Sequence, residues 1–134
     1  MAVNRYLLDT NHAARLLDER APLWDRFANL DRQQVGISMP TIGELWFMVF
    51  NSRRAQPNRA RLESLLEQLR IWEFDSSAAM EFGRLRTELR AKGRPIPTFD
   101  ILIAAIARAN HLTLLTADHH FEAVGGLSVE NWLV

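Results

Sequence analysis

Cysteine is absent from this chain, which excludes a disulfide framework and any thiolate metal centre. No long apolar run opens it either. The amino-terminal apolar stretch is too short for a signal peptide or a membrane span and meets Asp9 almost at once, so a cytoplasmic protein is expected. Net charge is also missing, so bulk charge does not advertise a nucleic-acid partner. Lysine is nearly absent: of sixteen basic residues, Lys92 is the single lysine and the other fifteen are arginines. Arginine makes bidentate contacts with phosphate and stacks on bases, which suits RNA or DNA, but a genome rich in arginine codons gives the same excess. Where the arginines sit decides between the two.

What is present is a 134-residue sequence, 48% hydrophobic, without repeats, low-complexity runs or long linkers. That length supports one domain over residues 1–134 with a single substantial core. Tyr6 to Leu8 reads as a buried strand ended by Asp9, and Asn11 to Leu17 as a helix closed by Asp18 and Glu19. Leu23, Phe27 and Leu30 give an amphipathic helix after Pro22, and Val35 to Ser38 a second strand. Thr41 is expected to cap the next helix with Glu44 three residues on, its buried stripe being Ile42, Leu45, Trp46, Val49 and Phe50. Pro57 opens a helix carrying Leu62, Leu65, Leu66 and Leu69. Ile71 to Phe74 alternates as a strand, and Asp75 or Ser76 caps the helix with Met80, Phe82, Leu85 and Leu89.

Gly93 to Pro97 is a rigid loop, after which a helix starting near Thr98 is apolar nearly all round, from Ile101 to Ala107. Leu112 to Leu115 is a further strand, followed by a turn at His119 to Phe121 and an edge strand near Leu127 to Val129. Strands alternating with helices predict a three-layer α/β/α sandwich around a mostly parallel central sheet.

Four acids interrupt or bound the most apolar segments: Asp9 in RYLLDTN, Glu44 in MPTIGELWFMVF, Asp100 in PTFDILIAAIA and Asp118 in LTLLTADHHF. No Lys or Arg lies within three residues of any of them. A carboxylate against apolar surface is costly unless hydrogen-bonded, paired or bound to a metal. Each has a plainer role available. Asp100 would complement a helix dipole, Glu44 complete a capping box, Asp118 cap a short turn and Asp9 close a strand through an Asx turn. Taken together, and if the fold converges them at the carboxyl ends of the strands, they make a hard-cation site. All-oxygen ligation selects Mg²⁺ or Mn²⁺, and such a cluster suits metal-assisted phosphodiester hydrolysis.

These residues resemble the PIN-domain ribonucleases, especially the VapC-type toxins of toxin–antitoxin pairs. The resemblance spans the chain and rests on LLDTN at Asp9, the GEL step at Glu44, GRPIPTFDILIAAIA at Asp100 and LLTADHHF at Asp118. It implies that Asp9, Glu44, Asp100 and Asp118 are the catalytic acids. They would hold Mg²⁺ or Mn²⁺ for endonucleolytic cleavage of RNA, often tRNA or rRNA, with no protein nucleophile. It also implies a cognate antitoxin that covers the acidic edge, and a homodimer. Thr10, Asn11 and Thr116 match polar residues that orient carboxylates, water or phosphate. One position departs: many members carry a further acid where this chain has His120.

Among the remaining candidates, His120, Arg84, Arg86 and Arg94 are placed as contacts to substrate or antitoxin. Arg84, Arg86, Arg90, Lys92 and Arg94 line a helix leading into the Asp100 loop, and Glu81 or Glu88 are their possible ion-pair partners. Arg53, Arg54, Arg59 and Arg61 flank an earlier helix–helix turn. His119 and His120 are expected to diverge, and His12 is read as an ordinary helix-face residue. Trp46, Phe47, Phe50 and Leu66 are more apolar than one core stripe needs, which fits the homodimer. Two rivals stand beside this reading. A haloacid-dehalogenase-like phosphatase needs an acid where Asn11 stands, and a non-catalytic module binding RNA or protein would not need all four acids.

Overall fold

The computed structural model describes residues 4–134, so the first three positions of the expected domain lie outside it. The strands are β1 (Tyr6–Leu8), β2 (Val35–Ser38), β3 (Arg70–Trp72), β4 (Thr113–Leu115) and β5 (Val129–Glu130). The helices are α1 (Thr10–Leu17), α2 (Leu23–Ala28), α3 (Met39–Phe50), α4 (Ala55–Glu67), α5 (Ser76–Ala91) and α6 (Thr98–Ala109). Short 3₁₀ turns cover Arg32–Gln34 and His119–Ala123. The five strands form one sheet in the order β3-β2-β1-β4-β5, and every pairing is parallel. The expected sandwich is therefore present with a fully parallel sheet.

Alternation along the short strands splits the core in two. Leu7 and Leu114 face α5 and α6, packing with Leu85, Leu89, Ile103 and Ile106. Leu8 and Leu115 face the opposite layer with Val35 and Ile37, against Leu16 of α1, Leu45 of α3 and Leu62 of α4. A parallel sheet covered on both faces needs such strands, apolar at every position. The α6 segment is buried from Ile103 to Ala107, as expected for a helix apolar all round. None of the described helices is long and apolar enough to cross a membrane.

Several boundaries move for local reasons. Ser38, not Thr41, caps α3: its Oγ accepts the Thr41 amide, and Pro40 sits in the first turn, where a missing N–H costs nothing. Thr41 is instead buried and accepts a bond from the Ser38 hydroxyl at 3.1 Å. Glu44 consequently falls in the second turn, so capping does not explain it. Phe50 leaves the expected stripe. Ile42, Leu45 and Val49 share the buried face, whereas Phe50 stacks on Trp46 in solvent. Leu30 lies beyond the end of α2. The third strand begins at Arg70 because its register follows β2, with Gly36 opposite Arg70. The last strand begins at Val129, opposite Leu114.

Gly36 of β2 leaves no room for a side chain against β3. A Cβ added there would lie 2.6 Å from the Trp72 indole nitrogen and 2.7 Å from the Arg70 backbone oxygen. Gly36→Ala is therefore expected to destabilise the protein by about 1–3 kcal/mol through overpacking. Urea unfolding checks this, and an unchanged midpoint would show that the strands separate freely.

Candidate functional site

The strand order reverses at β1. The chain runs outward from β1 to β2 and β3, then returns to place β4 on the other side of β1. The carboxyl ends of β1 and β4 thus lie side by side, Leu8 opposite Leu115, at the switch point where parallel sheets gather ligands. The Asp9 amide donates to the Leu115 carbonyl at 3.1 Å and fixes the exit of β1 against that of β4.

A cavity of about 330 Å³ opens there. It is lined by Asp9, Thr10, Asn11, Glu44, Asp100 and Asp118, with Phe99, Ile103 and Phe121 as its apolar wall. All four acids singled out in the sequence line it. A larger groove of about 750 Å³ runs along α5 and the start of α6, and its lining carries arginines and no acid.

Each acid arrives by a different local device. Asp9 is buried at the cap of α1, where its Oδ1 accepts the His12 amide at 2.7 Å and faces His12 Nδ1 at 3.0 Å. Asp100 lies in the first turn of α6, which has no side-chain cap, and its charge complements the exposed amides. Asp118 caps the 3₁₀ turn through the His120 amide at 2.9 Å. Glu44 is exposed on α3 at the rim. Asp118 does cap its turn, and Asp9 caps α1 where an Asx turn closing the strand was expected, yet both also line one cavity.

Among the described residues, Asp100, Asp118 and His120 bring one potential ligand atom each within 4.8 Å of the others, while Asp9 and Glu44 line the same cavity outside that group. His120 Nδ1 faces Asp100 Oδ2 at 2.9 Å and Asp118 Oδ1 at 3.2 Å. An N–H there sits between two carboxylates, where a cation would. Burial raises the Asp100 carboxyl above the ordinary carboxylate range. The His120 hydrogen bond opposes this, and the negative charges of Asp118 and Asp9 add to it. Thr10 Oγ1 is buried with no hydrogen-bond partner among the described residues. An orphaned hydroxyl, clustered carboxylates and an acid held above its normal range fit a divalent cation bound by oxygen.

Other candidates take distinct places. Thr116 is buried; its hydroxyl accepts the Asp118 amide at 3.0 Å, so it holds the turn carrying Asp118. Asn11 lines the cavity from the exposed side of α1. Arg84 faces a separate polar cavity with Arg108 and His111, paired to Glu81 at 3.2 Å. Arg108 of α6 takes both Glu81 and Glu88, so Glu81 is shared between Arg84 of α5 and Arg108 of α6. Arg86 lines the larger groove beside Arg90, its guanidinium 5.9 Å from the Phe82 ring centre. Arg94 is exposed in the loop before α6. His119 turns away to Glu122, whose hydrogen bond and charge raise its pKa, so the two histidines diverge as expected.

His12 is the residue the sequence reading undervalued. It is fully buried, and besides Asp9 it accepts the Trp132 amide on Nε2 at 3.1 Å. Its position three residues after a capping Asp was the available signal.

The PIN domain family matches residues 6–127 of this chain. The chain is 34% identical to the tRNA(fMet)-specific endonuclease VapC of Shigella flexneri, covering 96% of this chain and 98% of that protein. It is 32% identical to ribonuclease VapC2 of Rickettsia felis, covering 95% and 97%. The crystal structure of DNA-bound VapBC from Salmonella typhimurium superposes with a TM-score of 0.89 at 30% identity, over 97% of this chain and 99% of that one. A profile matched from the first strand to the threshold of the last, and near-complete coverage in both directions, place the chain in the PIN-domain family, among the VapC-type ribonuclease toxins.

Proposed function

We propose that this ribonuclease is a Mg²⁺- or Mn²⁺-dependent endonuclease in which Asp9, Glu44, Asp100 and Asp118 hold the ion. The observation that supports this best is that all four carboxylates line one cavity at the switch point of the sheet. When bound, a divalent ion there supplies water activation, neutralisation of phosphate charge and stabilisation of the leaving oxygen. The protein's own part is to hold the acids. The helix cap fixes Asp9, the start of α6 presents Asp100, and Thr116 secures the turn bearing Asp118. Thr10 and Asn11 lie where a phosphate oxygen or a water would approach Asp9, and His120 brackets Asp100 and Asp118 from the solvent side. The apolar wall of Phe99, Ile103 and Phe121 lowers the local dielectric and strengthens these interactions. A module that only binds RNA or protein would have no need to gather four acids at such electrostatic cost.

The substrate proposed is tRNA, supported by the printed specificity of the Shigella relative for tRNA(fMet). Arg86, Arg90 and Arg94 lie along α5 and the loop entering α6, where backbone phosphates leaving the cavity would pass. A cognate antitoxin is proposed as the natural inhibitor, because the matched Salmonella structure is a VapBC complex. A homodimer is proposed through α3, where Phe47 and Phe50 are 65% and 64% exposed beside Met39 and Met48. Trp46 and Leu66 pack partly into the core, so the free face is narrower than the sequence implied.

Asp9→Asn is expected to lower Mn²⁺-dependent cleavage of purified tRNA by roughly a hundredfold or more while the protein stays folded. Full activity in that variant would refute the site, and an antitoxin complex cutting as fast as the free protein would refute occlusion. Asp100 offers a test by stability. Its pKa is raised on folding, so ionising it costs stability once the pH climbs above the ordinary carboxylate range, and this cost is absent at lower pH. Metal-free Asp100→Asn is therefore expected to melt no lower than the parent at pH 7. Mn²⁺ at about 100 times its dissociation constant should then stabilise only the parent, by about 2.7 kcal/mol. Equal stabilisation of both by Mn²⁺, read by calorimetry, would place the ion elsewhere. Light scattering of Phe47→Glu is expected to show a monomer where the parent is a dimer; a parent that is already monomeric would end the dimer proposal.

A further inference from the structure

His12 is a buried titratable residue, and the chemistry outlined above leaves it without a task. Its ring is 0% exposed and is contacted from both ends. On one side the Trp132 backbone N–H lies 3.1 Å from Nε2. An amide nitrogen only donates, so Nε2 must offer its lone pair. A neutral imidazole then carries its single proton on Nδ1, the nitrogen that faces Asp9 Oδ1 at 3.0 Å. The hydrogen bonds run in one direction, from the Trp132 amide to the ring and from the ring to the carboxylate.

The far end of this relay is anchored. The Trp132 ring is buried, 4.6 Å from Tyr6 of β1 and 4.1 Å from the Arg26 guanidinium of α2 by ring centres. Its indole N–H donates to Glu130 of β5 at 3.0 Å. At the near end, Oδ1 of Asp9 receives both the His12 amide and the His12 ring. Both donors act on the same oxygen, which leaves Oδ2 as the oxygen available to the cavity that Asp9 lines.

We propose that His12 is a positioning residue, locked as the Nδ1–H tautomer by the Trp132 amide, that orients the Asp9 carboxylate for divalent-cation binding and ties cation affinity to the packing of the carboxyl-terminal segment. This rests on the reading of Asp9 as an ion-holding acid. Partners that orient a ligand in this way change metal affinity by roughly 10–100-fold when removed.

Substitutions separate the donor from the bulk. An Asn amide reaches about where Nδ1 lies and keeps a donor toward Asp9. Gln places its polar end near Nε2 and loses that donor, and Leu loses both while filling space. Titration calorimetry with Mn²⁺ is expected to show affinity weakened roughly 10–100-fold in His12→Gln and His12→Leu, and largely kept in His12→Asn. Each variant's folding is checked by its melting curve. In the parent, ¹⁵N–¹H correlation spectra of the ring should show a protonated Nδ1 and a bare Nε2. A proton on Nε2, parent-like Mn²⁺ affinity in folded His12→Gln, or loss in a folded His12→Asn equal to that in His12→Gln would each overturn the proposal. Asp9→Asn run alongside keeps the two readings apart. Loss of Mn²⁺ binding there with unaltered His12 variants sinks only the role of His12, whereas parent-like binding in Asp9→Asn sinks the site itself.

Discussion

The pairing of β1 with β4 is the constraint on which the site depends. Without it, Asp9 and Asp118 would end two unrelated segments more than a hundred residues apart in sequence. With it, Leu8 stands opposite Leu115, the Asp9 amide is tied to the Leu115 carbonyl, and both strand exits open into one cavity. The same pairing puts Leu7 and Leu114 on one face and Leu8 and Leu115 on the other, so it also joins the two halves of the core. The core and the candidate site here share a few backbone hydrogen bonds.

Gathering acids on such an edge opposes the rest of folding. Burial holds the Asp100 carboxyl above its ordinary range, and the charges of Asp118 and Asp9 add to this. The fold offsets this with donors fixed beforehand: helix and turn amides on Asp9 and Asp118, and the His120 ring between Asp100 and Asp118. His120 stands where many family members have a further acid. An N–H in that place softens the repulsion between its neighbours, whereas another carboxylate would deepen it.

Much of the architecture was legible because strand and helix periodicities are local. Tyr6–Leu8 and Val35–Ser38 were delimited as they stand, and the buried α6 announced itself by having no polar face. Local signals fall short where a tertiary partner chooses between acceptable local solutions. Ser38 and Thr41 are both good caps, and the end of β2 selects Ser38. Phe50 fits an apolar stripe by composition but falls off the face set by Ile42, Leu45 and Val49. The β3 and β5 boundaries followed the register of their neighbours, which no segment carries by itself.

The sequence by itself determined the element types, the apolar core positions and the four acids that local charge pairing left unexplained, because these depend on spacing and on neighbours within a few residues. Only the tertiary structure decided that those acids share a cavity, that Arg108 claims Glu81 and Glu88, and that His12 joins Trp132 to Asp9. The reason is physical. A hydrogen bond or a Coulomb term acts over a few ångströms, and residues 12 and 132 come within that range only when the sheet has closed and the carboxyl-terminal segment has packed on β1.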